Sequence, residues 1–185
     1  GGYICGRADL VEKAAGRLTA PGIGGEVGAT AGMQRWMFQG FFLAPHAVGQ
    51  AVKGSIFAAA LLEELGFETN PRWHEPRTDL IQAVRFDSAD KLIAFVQGIQ
   101  QAAAVDAHAV PEPGGMPGYE HPVIMAAGAF VQGGSLELSA DAPIREPYIA
   151  YVQGGLTYAH AKLGILSALT RLAEASNIVI KPNIP

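Results

Sequence analysis

The chain has 185 residues, 49% of them hydrophobic and 16% charged, which is enough apolar side chain for a packed core and excludes a chain disordered throughout. Its formal net charge is −4 and its 13 basic residues are scattered, so there is no electrostatic footprint for nucleic acid. The lone cysteine, Cys5, excludes an internal disulfide scaffold. The longest apolar runs, such as 56–62, fall far short of the ~18–20 residues of a membrane-spanning helix.

No signal peptide opens the chain, so a cytoplasmic protein is expected. The opening Gly1-Gly2-Tyr3-Ile4 reads as the interior of a longer sequence. Residues 1–20 are predicted to hold a short helix capped by Asp9, with Leu10, Val11, Ala14, Ala15 and Leu18 on its apolar face. Residues 21–34 contain five glycines and no helical period, and read as a loop. The clearest helix is predicted over 45–65. Pro45 suits its first turn, and Gly66 followed by Phe67 suits a glycine stop with a hydrophobic latch. It is apolar on nearly every side until Glu63-Glu64, which predicts burial between layers.

After Asn70-Pro71 the pattern changes. Residues 78–86 read as a strand. Asp87 or Ser88 then caps a helix that carries Leu92, Phe95, Val96 and Ile99 on one face. A loop with four prolines and three glycines covers 105–122. Residues 123–132 are strand-like, Gly133-Gly134 is a hairpin signal, and 135–139 is the expected partner strand. A turn is predicted at Asp141-Ala142-Pro143, a third strand over 148–153 and a last helix over about 157–174. The order from residue 71 is βαβββα, an α+β sandwich with helices on one face of a mostly antiparallel sheet.

Few residues carry chemistry by type alone. The glycines between Gly22 and Gly32 could cradle a phosphate, but match neither dinucleotide nor P-loop spacing. Asp106 and His108 could share a metal with Glu112, Glu120 or His121, although the spacing is not that of a zinc site, and a hydrogen-bonded loop is the default. No metal site is expected. Arg145, at the start of the third strand, could clamp a carboxylate or pair with Glu146 or Asp141. Tyr148 and Tyr151 read as core aromatics. Lys53, in its apolar helix, is a Schiff-base candidate by setting only, and more simply faces water beside Gln50.

The extended wording says more. In order along the chain stand Gly1-Gly2-Tyr3-Ile4 with Gly6-Arg7, Leu18-Thr19-Ala20-Pro21-Gly22-Ile23-Gly24, and Phe38-Gln39-Gly40-Phe41-Phe42-Leu43-Ala44-Pro45-His46. Glu75-Pro76-Arg77-Thr78-Asp79, Pro111-Glu112-Pro113 and Met116-Pro117-Gly118-Tyr119-Glu120 follow. Arg145-Glu146-Pro147-Tyr148 and Gln153-Gly154-Gly155-Leu156-Thr157-Tyr158 close the series. These stretches resemble the methionine gamma-lyase-related, or aluminium-resistance, family of pyridoxal-phosphate proteins.

The resemblance implies the α/β fold type I of pyridoxal-phosphate-dependent transferases. Residues 1–44 would then be the end of the large cofactor domain, 45–70 the connecting helix, and 71–185 the small α+β domain. It implies a carbon–sulfur lyase acting on a sulfur-containing amino acid, assembled as a dimer or tetramer, with no nucleic-acid or membrane partner. In such proteins the Schiff-base lysine lies upstream of the segment that resembles Gly1 to Arg7. None of the five lysines here matches it, so the chain resembles the carboxy-terminal half and is expected to be inactive alone, with no catalytic residue of its own. Gly1 and Gly2 are the implied cofactor-binding residues, and Arg145 is the implied anchor for the substrate carboxylate. An aminotransferase, or a non-catalytic interaction module that kept the small-domain fold, are the alternatives.

Overall fold

A computed structural model describes residues 3–18, 32–128 and 137–176. The chain divides into two compact units, Gly1–Pro45 and His46–Pro185.

In the first unit, helix α1 (Ala8–Leu18) buries none of its residues, so its predicted apolar face stays open. Asp9 is not its cap. It lies in the first turn, where its carboxylate takes a two-pronged bond from the Arg7 guanidinium at 3.0 and 2.7 Å. Tyr3 packs edge-on against Phe41, with ring centroids 4.9 Å apart. Of the glycine-rich loop, 21–31 lies outside the described residues.

Helix α2 (Gln34–Glu64) begins well before the expected Pro45, which is an interior residue. Proline there removes one backbone hydrogen bond without ending the helix. In the second unit α2 is buried on one face only, through Ala51, Gly54, Ser55, Ala58, Ala59 and Leu62, whereas Lys53 and Ile56 are exposed. The all-round burial expected from composition does not occur in the single chain. The glycine stop does. Gly66 has φ +87°, its N–H donates to the Glu63 carbonyl at 2.9 Å, and the Phe67 N–H donates to the Leu62 carbonyl at 2.9 Å.

Strand β1 (Glu68–Asn70) was not expected. Residues 71–81 then run over the surface as a strap, and β2 (Gln82–Phe86) is shorter than the expected 78–86. Ser88 caps α3 (Ala89–Gln101), accepting from the Lys91 N–H at 3.4 Å, while the Asp87 carboxylate pairs with the Lys91 ammonium at 2.6 Å. Leu92, Phe95, Val96 and Ile99 are buried as predicted.

β3 is Val123–Ala126. Residues 129–132 of its expected extension and the Gly133-Gly134 hairpin lie outside the described residues. β4 is Ser139–Pro143, so the predicted turn at Asp141-Ala142-Pro143 is strand instead, and the turn falls at 144–147. Ala140 and Ala142 alternate into the core and fix this register. β5 (Tyr148–Gln153) and α4 (Tyr158–Ser176) lie where expected.

The five strands form one antiparallel sheet in the order β1-β2-β5-β4-β3. Val84 opposite Ala150, Ala140 opposite Val152 and Ile124 opposite Ala142 line the inner face. They join Phe95, Ile99, Ile165 and Leu169 of α3 and α4 in the core. The outer face carries Arg85, Tyr151, Asp141 and Met125, all exposed. The unit is thus the βαβββα arrangement read from the sequence, with β1 added at one edge.

Candidate functional site

Where β2 ends and β5 begins, Phe67, Phe86 and Tyr148 floor an open cleft of about 810 Å³. Its rim is Glu68, Arg85, Asp87 and Glu146. Three of these charges are spent locally, in the Arg85–Glu68 pair at 3.0 Å and the Asp87–Lys91 pair. Tyr148 is half-buried and packs on the core, as its residue type predicted, but Tyr151 points out on the opposite face.

Arg145 occupies the turn between β4 and β5. Its N–H donates to the Pro143 carbonyl at 3.0 Å, and its side chain is exposed. Among the described residues neither Glu146 nor Asp141 makes an ion pair with it. Asp141 keeps an exposed surface on the outer face of the sheet, but the packing around its carboxyl desolvates it in part, and this pushes the carboxyl above the ordinary value.

A second arginine is held quite differently. Arg77, in the strap, turns inward and donates from Nη2 to Gln82 Oε1 at 2.5 Å. Gln82 is fully buried, and its amide nitrogen donates to the carbonyls of Pro71 and Ala83, each at 3.0 Å. Burial lowers the Arg77 pKa, while Asp79, Glu63 and Glu75 oppose the shift. Reading by residue type missed this arrangement. The available signal was a glutamine at an inward strand position, which demands polar partners.

The loop around Asp106 is hydrogen-bonded. The fully buried Gln100 donates to the Asp106 carbonyl at 2.7 Å and accepts from the Ala127 N–H at 2.8 Å. Among the described residues no three metal-ligating side chains converge. Nor does any described lysine suit a Schiff base. Lys13 and Lys53 are exposed, Lys91 pairs with Asp87, and the Lys162 ammonium sits 4.9 Å from the centre of the Tyr158 ring. Gly1 and Gly2 lie outside the described residues. Among these residues no helix is long and apolar enough to cross a membrane.

The methionine gamma-lyase family model matches residues 1–173. The chain belongs to that family. YnbB of Bacillus subtilis is 56% identical over 174 residues, covering 94% of this chain and 41% of YnbB. A solved Listeria monocytogenes protein, named a candidate cystathionine beta-lyase involved in aluminium resistance, is 55% identical with a TM-score of 0.84, over 90% of this chain and 41% of that one. A carbon–sulfur lyase involved in aluminium resistance from Clostridium novyi is 55% identical with a TM-score of 0.80, over 89% of this chain and 38% of that one. This member of the methionine gamma-lyase family thus spans about two fifths of the length of these relatives, and shares their fold over the part it covers.

Proposed function

We propose that this chain serves a pyridoxal-phosphate-dependent carbon–sulfur lyase acting on a sulfur-containing amino acid, and supplies its small domain. The observation that supports this best is the family match along residues 1–173, together with a relative named a carbon–sulfur lyase at 55% identity. The described residues do not themselves fit a resident pyridoxal phosphate, because they offer neither a desolvated lysine nor a phosphate cradle. In a protein of the relatives' length those parts fall to the remainder of the fold type I architecture. No chemical step is assigned to this chain's own side chains.

In this reading Arg145 holds the substrate carboxylate. It is exposed and unpaired among the described residues, and a planar guanidinium suits two parallel bonds to a carboxylate. The enzyme would be a cytoplasmic homo-oligomer.

The test uses a protein of the relatives' length that carries this chain. Release of thiol and 2-oxo acid from a sulfur-containing amino acid, dependent on added pyridoxal phosphate, is the expected result. Amino-group transfer without thiol release would replace the lyase by an aminotransferase, and no turnover of any kind would overturn the enzymatic reading.

A further inference from the structure

The cleft where β2 ends and β5 begins has no part in the lyase reading. Its floor is aromatic. Phe86 is buried, with its ring 5.6 Å from that of Phe67 and 5.1 Å from that of Phe95 in the core, centroid to centroid. Phe67 and Tyr148 pack against the core and stay partly exposed where they line the cleft. A ring laid on such a floor gains by leaving water and by edge-to-face contact. The face of a tyrosine also attracts a cation.

The rim decides the charge of the occupant. Three carboxylates and one guanidinium line the cleft. Arg85 compensates Glu68 at 3.0 Å, and Lys91 compensates Asp87 at 2.6 Å. The third carboxylate, Glu146, has no ion pair among the described residues. Arg145 precedes it in the chain but is not among the residues that line the cleft. An anion brought here would meet this surplus negative charge. A neutral apolar molecule would cover Glu146 in part and give its charge no partner. A cation carried on an apolar body suits both floor and rim. The volume, about 810 Å³, is that of a small-molecule site and far more than a bare ion fills.

We propose that this cleft binds a small aromatic amine, its ring on the floor of Phe67, Phe86 and Tyr148 and its ammonium against Glu146. The ligand needs no carboxylate, which sets it apart from the amino-acid substrate proposed for the lyase. The site is already open in the single chain, so nothing has to move for the amine to enter.

Phenethylamine, 2-phenylethanol and phenylacetate share one ring and differ in charge, so they serve as probes. Each is titrated into the 185-residue chain without cofactor, with amide chemical shifts as the readout. Phenethylamine should move the Phe67, Asp87 and Tyr148 amides saturably. The alcohol should bind at least about fivefold more weakly, and phenylacetate more weakly still. Added salt should weaken the amine and spare the alcohol. Glu146→Gln, a change at an exposed turn residue, should bring the amine down to the level of the alcohol and leave the alcohol unchanged. Tyr148→Leu should weaken both. Glu120→Gln, which removes an exposed carboxylate outside the cleft, should change neither. Shifts that arise elsewhere or not at all, equal binding of amine and alcohol, or a loss in Glu120→Gln as large as in Glu146→Gln would each overturn the proposal. No turnover is measured, so failure here leaves the lyase reading standing, and failure of the lyase assay leaves this site standing.

Discussion

Gly98 on α3 and Ala168 on α4 meet backbone to backbone, so that a Cβ built on Gly98 would stand 2.4 Å from the Ala168 Cα. The Ser167 hydroxyl donates to the Gly98 carbonyl at 2.7 Å and ties the same crossing. Gly98→Ala should push the helices apart and cost about 1–3 kcal/mol, despite the roughly 1 kcal/mol that alanine gains in helix propensity. Urea unfolding measures this, and a change below about 0.5 kcal/mol would show that the two helices re-seat freely.

Gly66 ends α2 in the left-handed region at φ +87°, with nothing crowding a Cβ there. Gly66→Ala should therefore destabilise through the backbone alone, by about 1 kcal/mol. Thermal unfolding of the variant provides the comparison, and a gain in Tm would contradict the account.

The Gln100 amide joins the Asp106 carbonyl to the Ala127 N–H inside the core. Gln100→Leu strands one backbone donor and one acceptor and should cost about 2–4 kcal/mol. The specific signature is faster hydrogen exchange at the Ala127 amide. Global destabilisation with that amide still protected would assign the loss to packing instead.

Asp141 supplies a pH test. Its folded carboxyl lies above the ordinary value because of burial, so the folded state binds this proton more tightly than the unfolded chain does. That contribution is full below the ordinary carboxylate range and is lost as pH rises through the raised value. Asp141→Asn should be slightly the more stable at neutral pH, within about 0.5 kcal/mol for an exposed position. The advantage should disappear near pH ~3. Parallel stability curves for the two proteins would refute the shift.

If Arg145 clamps the substrate carboxylate in the lyase, Arg145→Ala should lower kcat/KM for amino-acid substrates about 30- to 1000-fold, with Lys a poor rescue. Unchanged turnover would make Arg145 a solvent-facing turn residue.

The sequence patterns that proved reliable were those in which large apolar residues repeat. Leu92, Phe95, Val96 and Ile99 mark α3, and the alternation through Val84 and Phe86 marks β2. β4 was misplaced because its inward residues are only Ala140 and Ala142, a faint signal, while Asp-Ala-Pro has the composition of a turn. β1 has three residues and one inward side chain, Thr69, so pairing with β2 makes it a strand and composition does not. Pro45 read as a boundary because proline is most often one. Arg145 was visible as a residue type in a turn. The setting of Arg77 was not, because it depends on how Gln82 is oriented by carbonyls distant in the chain.

The strand order has a consequence for how the chain is made. β5 lies at the centre of the sheet, between β2 and β4, yet it is the last strand in the sequence. Closing the sheet joins Val84 to Ala150 across the whole intervening segment, so the entropy of a long loop must be overcome before the central ladder forms. On a ribosome, β2 and β4 both emerge without the central neighbour they share and stay open-edged until residue 153 has cleared the exit tunnel. Nascent chains stalled short of β5 should therefore be the species that chaperones hold.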